Sequence, residues 1–344
     1  MKEKFSYKKA GVDIDTADAT KRAMAGSLET TDKRVLNKLG AFASLFDGAF
    51  PGYEHPVLVL KMEEPGSKQK LAIEHGHAKS LCYDLINHLV NDIIVMGATP
   101  LAVQDVIVCG RLEEVVTELV ASMAAACREQ GCVLTGGETS EQPGVVEGGT
   151  YILAASILGV VEQAKVIDGS RIVEGDLVLA VASNGLHTNG YSLVRALMAR
   201  RPEIIEMKVA DESFLEAILR PHKCYYHAFR GLFGMPELHG MAHITGGGIE
   251  GNLNRILLEG LDAAVNVGKI KILPIFRLIR DMGNVDDADM LRTFNMGVGM
   301  TLVVDGGALD GVQQHLSANA CESYVIGRIV KGEKRVVYEG KLNW

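Results

Sequence analysis

The sequence predicts a two-domain α/β protein. Three observations favour this fold class: the chain has 344 residues, 47% of them are apolar, and many of its 38 glycines lie in short turns after apolar runs. A typical domain has about 150 residues, so a chain of this length is expected to form two cores. Short glycine turns between apolar runs are typical of alternating strands and helices.

The predicted elements alternate in both halves of the chain. In the first half, apolar periodicity predicts strands at 57–60, 101–108, 132–135 and 151–161, and helices at 81–96 and 112–130. In the second half it predicts strands at 177–182, 242–245, 300–304 and 323–330, and helices at 191–199 and 249–258. A polar, turn-rich stretch lies between the halves, so we expect one domain at 1–168 and another at 169–344.

Composition limits the partners and the location of the protein. The formal net charge is −8 and the basic residues are scattered, which disfavours nucleic acid as a partner. The N-terminus is charged and no segment approaches about 18 uninterrupted apolar residues, so we expect no signal peptide, no membrane span and a cytoplasmic protein. The six cysteines lie far apart without a C-x-x-C pair, which argues against a disulfide framework or a zinc ribbon.

A run of three glycines indicates an anion-binding turn in the second half. Gly246, Gly247 and Gly248 follow Thr245 at the end of an apolar strand and precede an apparent helix. Backbone amides at such a turn can face a bound phosphate. An ordinary strand-to-helix turn fits the same pattern, although three consecutive glycines lose considerable chain entropy for that purpose.

Two further loops carry polar side chains. His187 and Asn189 lie in the loop 184–191, which is typical of a loop that faces a ligand. The alternative is a common Asn-Gly turn in which His187 caps a helix. Asn295 lies in the stretch 292–300, whose Arg, Asn and Gly residues suit a polar ligand as well as an ordinary loop that leads into a strand.

Isolated carboxylates in apolar runs indicate a cation site. Asp92, beside Asn91, interrupts a predicted helix, and Asp105 interrupts a predicted strand. A buried charge is costly unless it is paired or binds a cation. With Glu63 as a third carboxylate, the pattern suggests a magnesium site, and structural salt bridges are the alternative.

A glycine-rich acidic segment follows the predicted strand 132–135. It begins with Gly136, Gly137 and Glu138. A carboxylate on such a backbone can hold magnesium-bound phosphates or orient a substrate amine. A solvated loop is an equally good interpretation.

Several strings of the sequence, taken in order, resemble one known family. They lie at 7–15, 90–92, 136–139, 187–195, 240–248 and 292–300. Together they resemble the phosphoribosylformylglycinamidine cyclo-ligases, also called aminoimidazole ribonucleotide synthetases, over nearly the whole chain. The last two strings are specific, because selenophosphate synthetases, thiamin-phosphate kinases and hydrogenase-maturation proteins share the fold but not these strings.

The resemblance implies a fold and a reaction. It implies an N-terminal ATP-binding domain that pairs in a homodimer and closes a β-barrel, followed by a C-terminal substrate-binding domain.

In de novo purine biosynthesis the family uses ATP to phosphorylate the formyl oxygen of formylglycinamidine ribonucleotide. The amidine nitrogen then attacks that carbon and phosphate leaves, which gives aminoimidazole ribonucleotide. Phosphoryl transfer needs positioning and a divalent cation, so ATP and Mg2+ are expected.

The resemblance also implies roles for individual residues. The side chains expected to act in catalysis are Asp92, His187 and Lys68. The residues expected to bind the nucleotide are Gly40, Glu63, Lys68, Asn91, Asp105, Gly136, Gly137 and Glu138. The residues expected to bind the ribonucleotide substrate are His187, Asn189, Thr245, Gly246, Gly247, Gly248 and Asn295. The expected magnesium ligands are Glu63, Asp92 and Asp105.

The chain departs from the family pattern at the nucleotide end. The family's Asp-Gly-Val-Gly-Thr-Lys loop reads EEPGSK at 63–68, where Glu64 adds negative charge and Pro65 removes a backbone donor. The family's Gly-Gly-Leu-Gly-Gly-Phe loop keeps one glycine, Gly40. These changes predict weaker phosphate binding. They leave a second interpretation, a catalytically lapsed homologue that binds a purine-pathway ribonucleotide or a partner protein as a sensor or scaffold.

Overall fold

The computed structural model describes residues 14–37 and 41–344, which form two compact units. The first unit contains the described residues up to Leu89 together with Pro100–Val160, and the second contains Val90–Thr99 and Val161–Trp344. Residues 90–99, expected in the first domain, therefore group with the second unit. The domain boundary at 168 stays a prediction, and Gly40 lies outside the described residues.

The first unit is built on a four-stranded sheet. Its strands are ordered β1-β4-β2-β3, and β2 and β3 run parallel. The strands are β1 (Pro56–Glu63), β2 (Thr99–Cys109), β3 (Val133–Glu141) and β4 (Tyr151–Glu162). The helices in this part of the chain are α1 (Ile14–Leu28), α2 (Lys68–Glu74), α3 (Ala78–Ile94) and α4 (Glu114–Glu129), and the last turn of α3 belongs to the second unit.

Apolar periodicity places α4 against the core. Val116, Leu119, Val120, Met123 and Cys127 are buried and recur every three or four residues, so they share one face of the helix. The helix predicted at 112–130 is thereby confirmed. None of the helices in the described ranges combines the length and the hydropathy that a membrane span requires.

Strand β3 is longer than predicted. The expected strand 132–135 continues to Glu141, because its ladder with β2 runs on to the pair of Cys109 with Glu141. Of the two interpretations of the segment 136–138, the solvated loop is therefore wrong as local structure. Backbone pairing with a neighbouring strand continues past an irregularity at Gly136, and this long-range contact cannot be read from the local sequence.

One face of the first sheet carries exposed apolar side chains. Along β1, Leu58, Leu60 and Met62 are 52%, 76% and 68% exposed, and they alternate with less exposed residues. Val106 of β2 and Ile152 of β4 are also exposed, at 39% and 42%. We call these five residues the open face. Large exposed apolar side chains gathered on one sheet are typical of an interaction site.

The second unit is built on a six-stranded sheet ordered β12-β9-β11-β5-β10-β8. Its pairs are antiparallel except for β12 with β9. The strands are β5 (Leu177–Ala182), β8 (Leu238–His243), β9 (Leu261–Asn266), β10 (Val298–Val304), β11 (Ser323–Lys331) and β12 (Val336–Glu339), and a small separate pair is formed by β6 (Lys208–Val209) and β7 (Glu212–Ser213). The helices are α5 (Tyr191–Arg200), α6 (Phe214–Leu219), α7 (Tyr226–Phe229), α8 (Gly248–Leu253), α9 (Pro274–Gly283), α10 (Asp287–Thr293) and α11 (Leu309–Ala318).

The second unit confirms the strands predicted at 177–182, 300–304 and 323–330. The strand predicted at 242–245 lies earlier, at Leu238–His243, so Thr245 is outside it, and one predicted helix is shorter. The helix expected at 249–258 ends at Leu253 and gives way to a short 3-10 turn, Asn254–Ile256. Glycine and asparagine are poor helix formers, and this segment contains Gly251, Asn252 and Asn254. The short buried strand β9 was not predicted, because its sequence LDAAVN lacks the alternation that distinguishes a half-buried strand.

Candidate functional site

Three buried histidines of the second unit converge. His187 follows β5, His222 lies between α6 and α7, and His243 ends β8, and these residues are 2%, 1% and 5% exposed. The rings of His187 and His222 stack with their centroids 3.9 Å apart. Nε2 of His222 lies 3.0 Å from Nε2 of His243. We call these three residues the histidine cluster.

The sheet explains why the cluster forms. Strands β5 and β8 end on opposite sides of β10, where Ala182 pairs with Val298 and His243 pairs with Met300. The register of β5 with β10 shifts between Val298 and Met300, so Gly299 occupies an irregular position. A Cβ at Gly299 would lie 1.9 Å from the hydroxyl oxygen of Tyr225 and 3.0 Å from Cε1 of His187. Because glycine has no side chain, His187 and Tyr225 can occupy the space beside this position.

A carboxylate fixes the orientation of His243. Oδ1 of Asp92 lies 2.7 Å from Nδ1 of His243. Because a carboxylate accepts the hydrogen bond, Nδ1 carries the proton, and Nε2 of the neutral ring carries the lone pair. In the neutral cluster, Nε2 of His222 is then the donor to Nε2 of His243. The structure thus places Asp92 as a positioning residue for His243.

Asn91 holds the segment that carries His222. Its side-chain oxygen accepts a 3.0 Å hydrogen bond from the amide of Tyr225, and its side-chain nitrogen donates a 2.8 Å bond to the carbonyl of Lys223. The hydroxyl of Tyr225 donates to the carbonyl of Ala182 at 2.9 Å. Asn91 thus ties this segment in place, and its expected contact with the nucleotide stays a prediction.

The loop that carries His187 has an unusual backbone. The φ angle of His187 is 62°, in the left-handed region, which costs a residue with a Cβ on the order of 1 kcal/mol. The hydroxyl of Tyr191 lies 3.2 Å from the carbonyl oxygen of His187. Backbone strain of this kind persists where the surroundings impose it, and it is common at functional sites.

The structure brings Asn189 to the three-glycine turn. A Cβ at Gly246 would lie 3.2 Å from the side-chain oxygen of Asn189, so these two predicted substrate residues are neighbours. The amide of Gly247 donates to the carbonyl of Arg292 at 3.1 Å, and the amide of Gly248 donates within the turn at 3.1 Å. Phosphate binding here stays a prediction, and it would use amides other than these two.

Two other predicted substrate residues have partners within the protein. The hydroxyl of Thr245 donates to the side-chain oxygen of Asn252 at 3.2 Å. The side chain of Asn295 donates to the carbonyl of Gly185 at 2.9 Å and accepts from the hydroxyl of Ser183 at 3.1 Å. Asn295 therefore stabilises the start of the loop that carries His187. Its contact with substrate stays a prediction.

In the first unit, Asp105 is a buried carboxyl group. It is 5% exposed, and burial raises its pKa to about 7. Gly137 of β3 makes room for it, because a Cβ there would lie 2.1 Å from the backbone oxygen of Asp105 and 2.4 Å from Oδ1. A bound cation would favour the charged carboxylate, which is consistent with the predicted magnesium ligand.

Lys68 is also buried in the first unit. Its ammonium group lies 2.8 Å from both carboxylate oxygens of Asp84, and both side chains are fully buried. Burial lowers the pKa of Lys68, and the charge of Asp84 opposes that effect. The structure therefore gives Lys68 an ion pair, and its predicted roles in catalysis and phosphate binding stay predictions.

The remaining nucleotide residues lie on β1 and β3. Glu63, the last residue of β1, forms an ion pair with Lys61 at 2.9 Å. Gly136 has a φ angle of 127°, and Glu138 is exposed on β3. Because Asp105 pairs with Gly137 across the two strands, the structure brings Asp105 to the glycine pair.

Sequence reasoning did not identify His222 or Tyr225, and it gave His243 no role of its own. The three histidines come from separate segments, so their spacing carries no metal or catalytic motif. The usable signal was indirect: Asp92 interrupts an apolar helix and therefore needs a partner. That partner, His243, is 151 positions away in the chain.

Comparisons with known proteins agree with this architecture. Residues 54–161 match the family described as AIR synthase related protein, N-terminal domain, and residues 173–339 match AIR synthase related protein, C-terminal domain. A solved structure of the hydrogenase maturation protein HypE in complex with ATP has a TM-score of 0.66 at 17% identity, covering 96% of this chain and 92% of that chain. This similarity confirms the two-domain α/β fold.

Two curated relatives are more similar in sequence. The phosphoribosylformylglycinamidine cyclo-ligase of Methylobacillus flagellatus is 40% identical over 95% of this chain and 95% of the relative. The enzyme of the same name from Nitrosococcus oceani is 39% identical over 95% of this chain and 92% of the relative. Since the identity extends over nearly the full length of both partners, the chain belongs to the phosphoribosylformylglycinamidine cyclo-ligase family.

Proposed function

We propose that the protein is an ATP-dependent cyclo-ligase of de novo purine biosynthesis, which converts formylglycinamidine ribonucleotide to aminoimidazole ribonucleotide in the cytoplasm. The observation that carries the proposal is the 39% to 40% identity to cyclo-ligases over 95% of the chain. The lapsed-homologue interpretation gains no support from these relatives.

The reaction needs an activated oxygen and a place for a proton. The formyl oxygen is a poor leaving group until it accepts the γ-phosphoryl group of ATP. Attack by the amidine nitrogen then closes the ring, phosphate leaves and a proton is lost. The protein's contribution is positioning together with acid-base assistance, which typically contributes about 10²- to 10⁴-fold.

The second unit supplies groups suited to the ring-closing step. We assign substrate binding to His187, Asn189 and the glycine turn at 245–248. Asp92 orients His243 so that Nε2 presents a lone pair, and the neighbouring imidazole of His187 is the predicted catalytic histidine. These rings can accept the proton released as the ring closes.

We assign the magnesium ion to Asp105 and Glu63 of the first unit, two of the ligands that the resemblance implies. Both offer carboxylate oxygens, which Mg2+ prefers, and the raised pKa of buried Asp105 reflects a charge that a cation would stabilise. Bound Mg2+ would neutralise phosphate oxygens of ATP. Asp92, the third predicted ligand, has its Oδ1 in contact with His243.

The open face supports the expected homodimer. Its exposed leucines and methionine lie on β1, and a second copy of the chain would remove them from water. The β-barrel that the resemblance implies would be completed by this contact.

The test is a coupled assay of the purified protein with formylglycinamidine ribonucleotide, ATP and Mg2+. We expect one ADP for each aminoimidazole formed. Asp92→Asn disturbs the tautomer of His243, so turnover should fall by on the order of 10²- to 10⁴-fold, with a changed pH profile but retained ribonucleotide binding. Asp281→Asn, at an exposed surface ion pair, is the control and should match the wild type. Tight ribonucleotide binding without either product would refute the proposal.

A further inference from the structure

The histidine cluster has the composition of a transition-metal site. Each of His187, His222 and His243 offers one ring nitrogen, and these three atoms lie within 4.8 Å of one another. All three residues are buried within the second unit. Three imidazoles with an open fourth position form a known type of zinc site.

One pair of nitrogens in the cluster has nearly the spacing that zinc requires. Two nitrogens bound roughly 2.0–2.1 Å from a tetrahedral zinc ion lie about 3.3 Å apart. Nε2 of His222 and Nε2 of His243 are 3.0 Å apart, so a displacement of a few tenths of an ångström would admit the ion between them. The zinc would replace the proton that these two nitrogens share. The ring of His187 stacks on that of His222 and lies 6.5 Å from that of His243 between centroids, so it has to turn toward the ion to become the third ligand.

Asp92 supplies the outer contact that metal-binding histidines commonly have. Its carboxylate accepts a 2.7 Å hydrogen bond from Nδ1 of His243, which directs the Nε2 lone pair into the cluster. Carboxylate contacts of this kind fix the tautomer of a metal-binding histidine and raise its basicity. The pair therefore prepares His243 for a cation.

The framework holds His222 in position without any metal. Asn91 forms hydrogen bonds with the backbone of Lys223 and Tyr225, just after His222, and the hydroxyl of Tyr225 ties the same segment to β5. A site whose ligands are held beforehand loses little conformational entropy on binding. Nitrogen ligands select zinc and related ions over Mg2+, which prefers oxygen, so this site differs chemically from the carboxylates of the first unit.

We propose that His187, His222 and His243 form a Zn2+ site, with Asp92 as the outer partner of His243. The metal would bind the imidazole lone pairs that the ring-closing step uses, so the zinc-loaded protein should not convert formylglycinamidine ribonucleotide. This consequence rests on the proposed function, whereas zinc binding itself does not.

The test measures binding rather than turnover. Metal-stripped full-length protein is titrated with Zn2+ by calorimetry, and Co2+ is then used as a spectroscopic substitute. We expect one equivalent of zinc, and visible cobalt bands of a four-coordinate site without thiolate charge-transfer absorption. His222→Asn should lose this equivalent, while His227→Asn, at an exposed histidine of α7, should retain it.

Three results would overturn the proposal: no stoichiometric zinc binding by the folded wild type, unchanged binding by folded His222→Asn, or cobalt spectra that show thiolate ligands. If His222→Asn does not fold, X-ray absorption of the zinc-loaded wild type decides, since three imidazole nitrogens are required. A protein that binds zinc but lacks cyclo-ligase activity would support the metal site and refute the proposed function, so the two failures are distinguishable.

Discussion

Burial raises the pKa of Asp105 to about 7, from an ordinary value of 3.8. Between pH 3.8 and about pH 7, the Asp105 carboxyl group therefore binds more protons in the native protein than in the unfolded chain. The contribution of Asp105 to the free energy of unfolding is therefore most favourable below about pH 4, falls as the pH rises to about 7, and is constant above that. The shift corresponds to a loss on the order of 4 kcal/mol.

Asp105→Asn removes this titration. In the presence of a chelator, we expect the variant to unfold at a higher temperature than the wild type at pH 8, and to show a smaller difference between pH 5 and pH 8. Thermal unfolding followed by circular dichroism measures both effects. Asp281→Asn, on the surface, should keep the wild-type pH dependence. The same pH dependence in Asp105→Asn and in the wild type would contradict the assignment.

The buried pair of Lys68 and Asp84 makes a second prediction at the residue scale. Asp84→Leu leaves a buried ammonium group without its counter-charge, so we expect a loss of about 3–5 kcal/mol in unfolding free energy. The double variant Lys68→Met, Asp84→Leu removes both charges and should recover most of that loss, as measured by urea unfolding. An Asp84→Leu variant as stable as the wild type would refute the buried pair.

Turnover of that double variant decides the role of Lys68. If Lys68 only stabilises the fold, the double variant should keep its cyclo-ligase activity. If Lys68 binds phosphate, as the resemblance implies, the folded double variant should lose turnover. The sequence could identify the lysine in the loop but could not identify Asp84 as its partner, because that contact depends on how α2 packs against α3.

At the scale of elements, Gly137 joins β2 and β3 at the predicted cation site. A Cβ at this position would lie 2.1 Å from a backbone oxygen of Asp105, which cannot move without disturbing the ladder. We expect Gly137→Ala to lower the unfolding free energy by about 1–3 kcal/mol and to weaken Mg2+ binding. Gly148→Ala, where a Cβ meets nothing within 4 Å, is the matched control. Equal stability of the two variants would contradict the packing described.

The sequence predicted helix α4 well, whereas the helices α1, α9 and α11 and the short buried strands were not predicted. Helix α4 shows its apolar face in the sequence, because its apolar residues recur at helical spacing. Strand β9 and the second half of β3 depend on pairing with distant strands, which local patterns do not encode. The unusual carboxylates Asp92 and Asp105 were recognisable, but the histidine cluster requires the register of three strands.

At the scale of the whole molecule, the open face predicts self-association. Replacing Leu60, which is 76% exposed, by glutamate would place a charge in the centre of a dimer contact. We expect Leu60→Glu to sediment as a monomer at concentrations at which the wild type is a dimer. Val337→Glu, at an exposed apolar residue of the second unit, should leave the dimer intact. A monomeric wild type would contradict the proposed homodimer.

ATP use and ring closure should be one reaction, and an oxygen label can test this coupling. Formylglycinamidine ribonucleotide labelled with 18O in the formyl group is converted with ATP, and the released phosphate is analysed by mass spectrometry. We expect one 18O atom in each phosphate, because the formyl oxygen leaves as part of that phosphate. Aminoimidazole formation with unlabelled phosphate, or ADP release without ring closure, would contradict it.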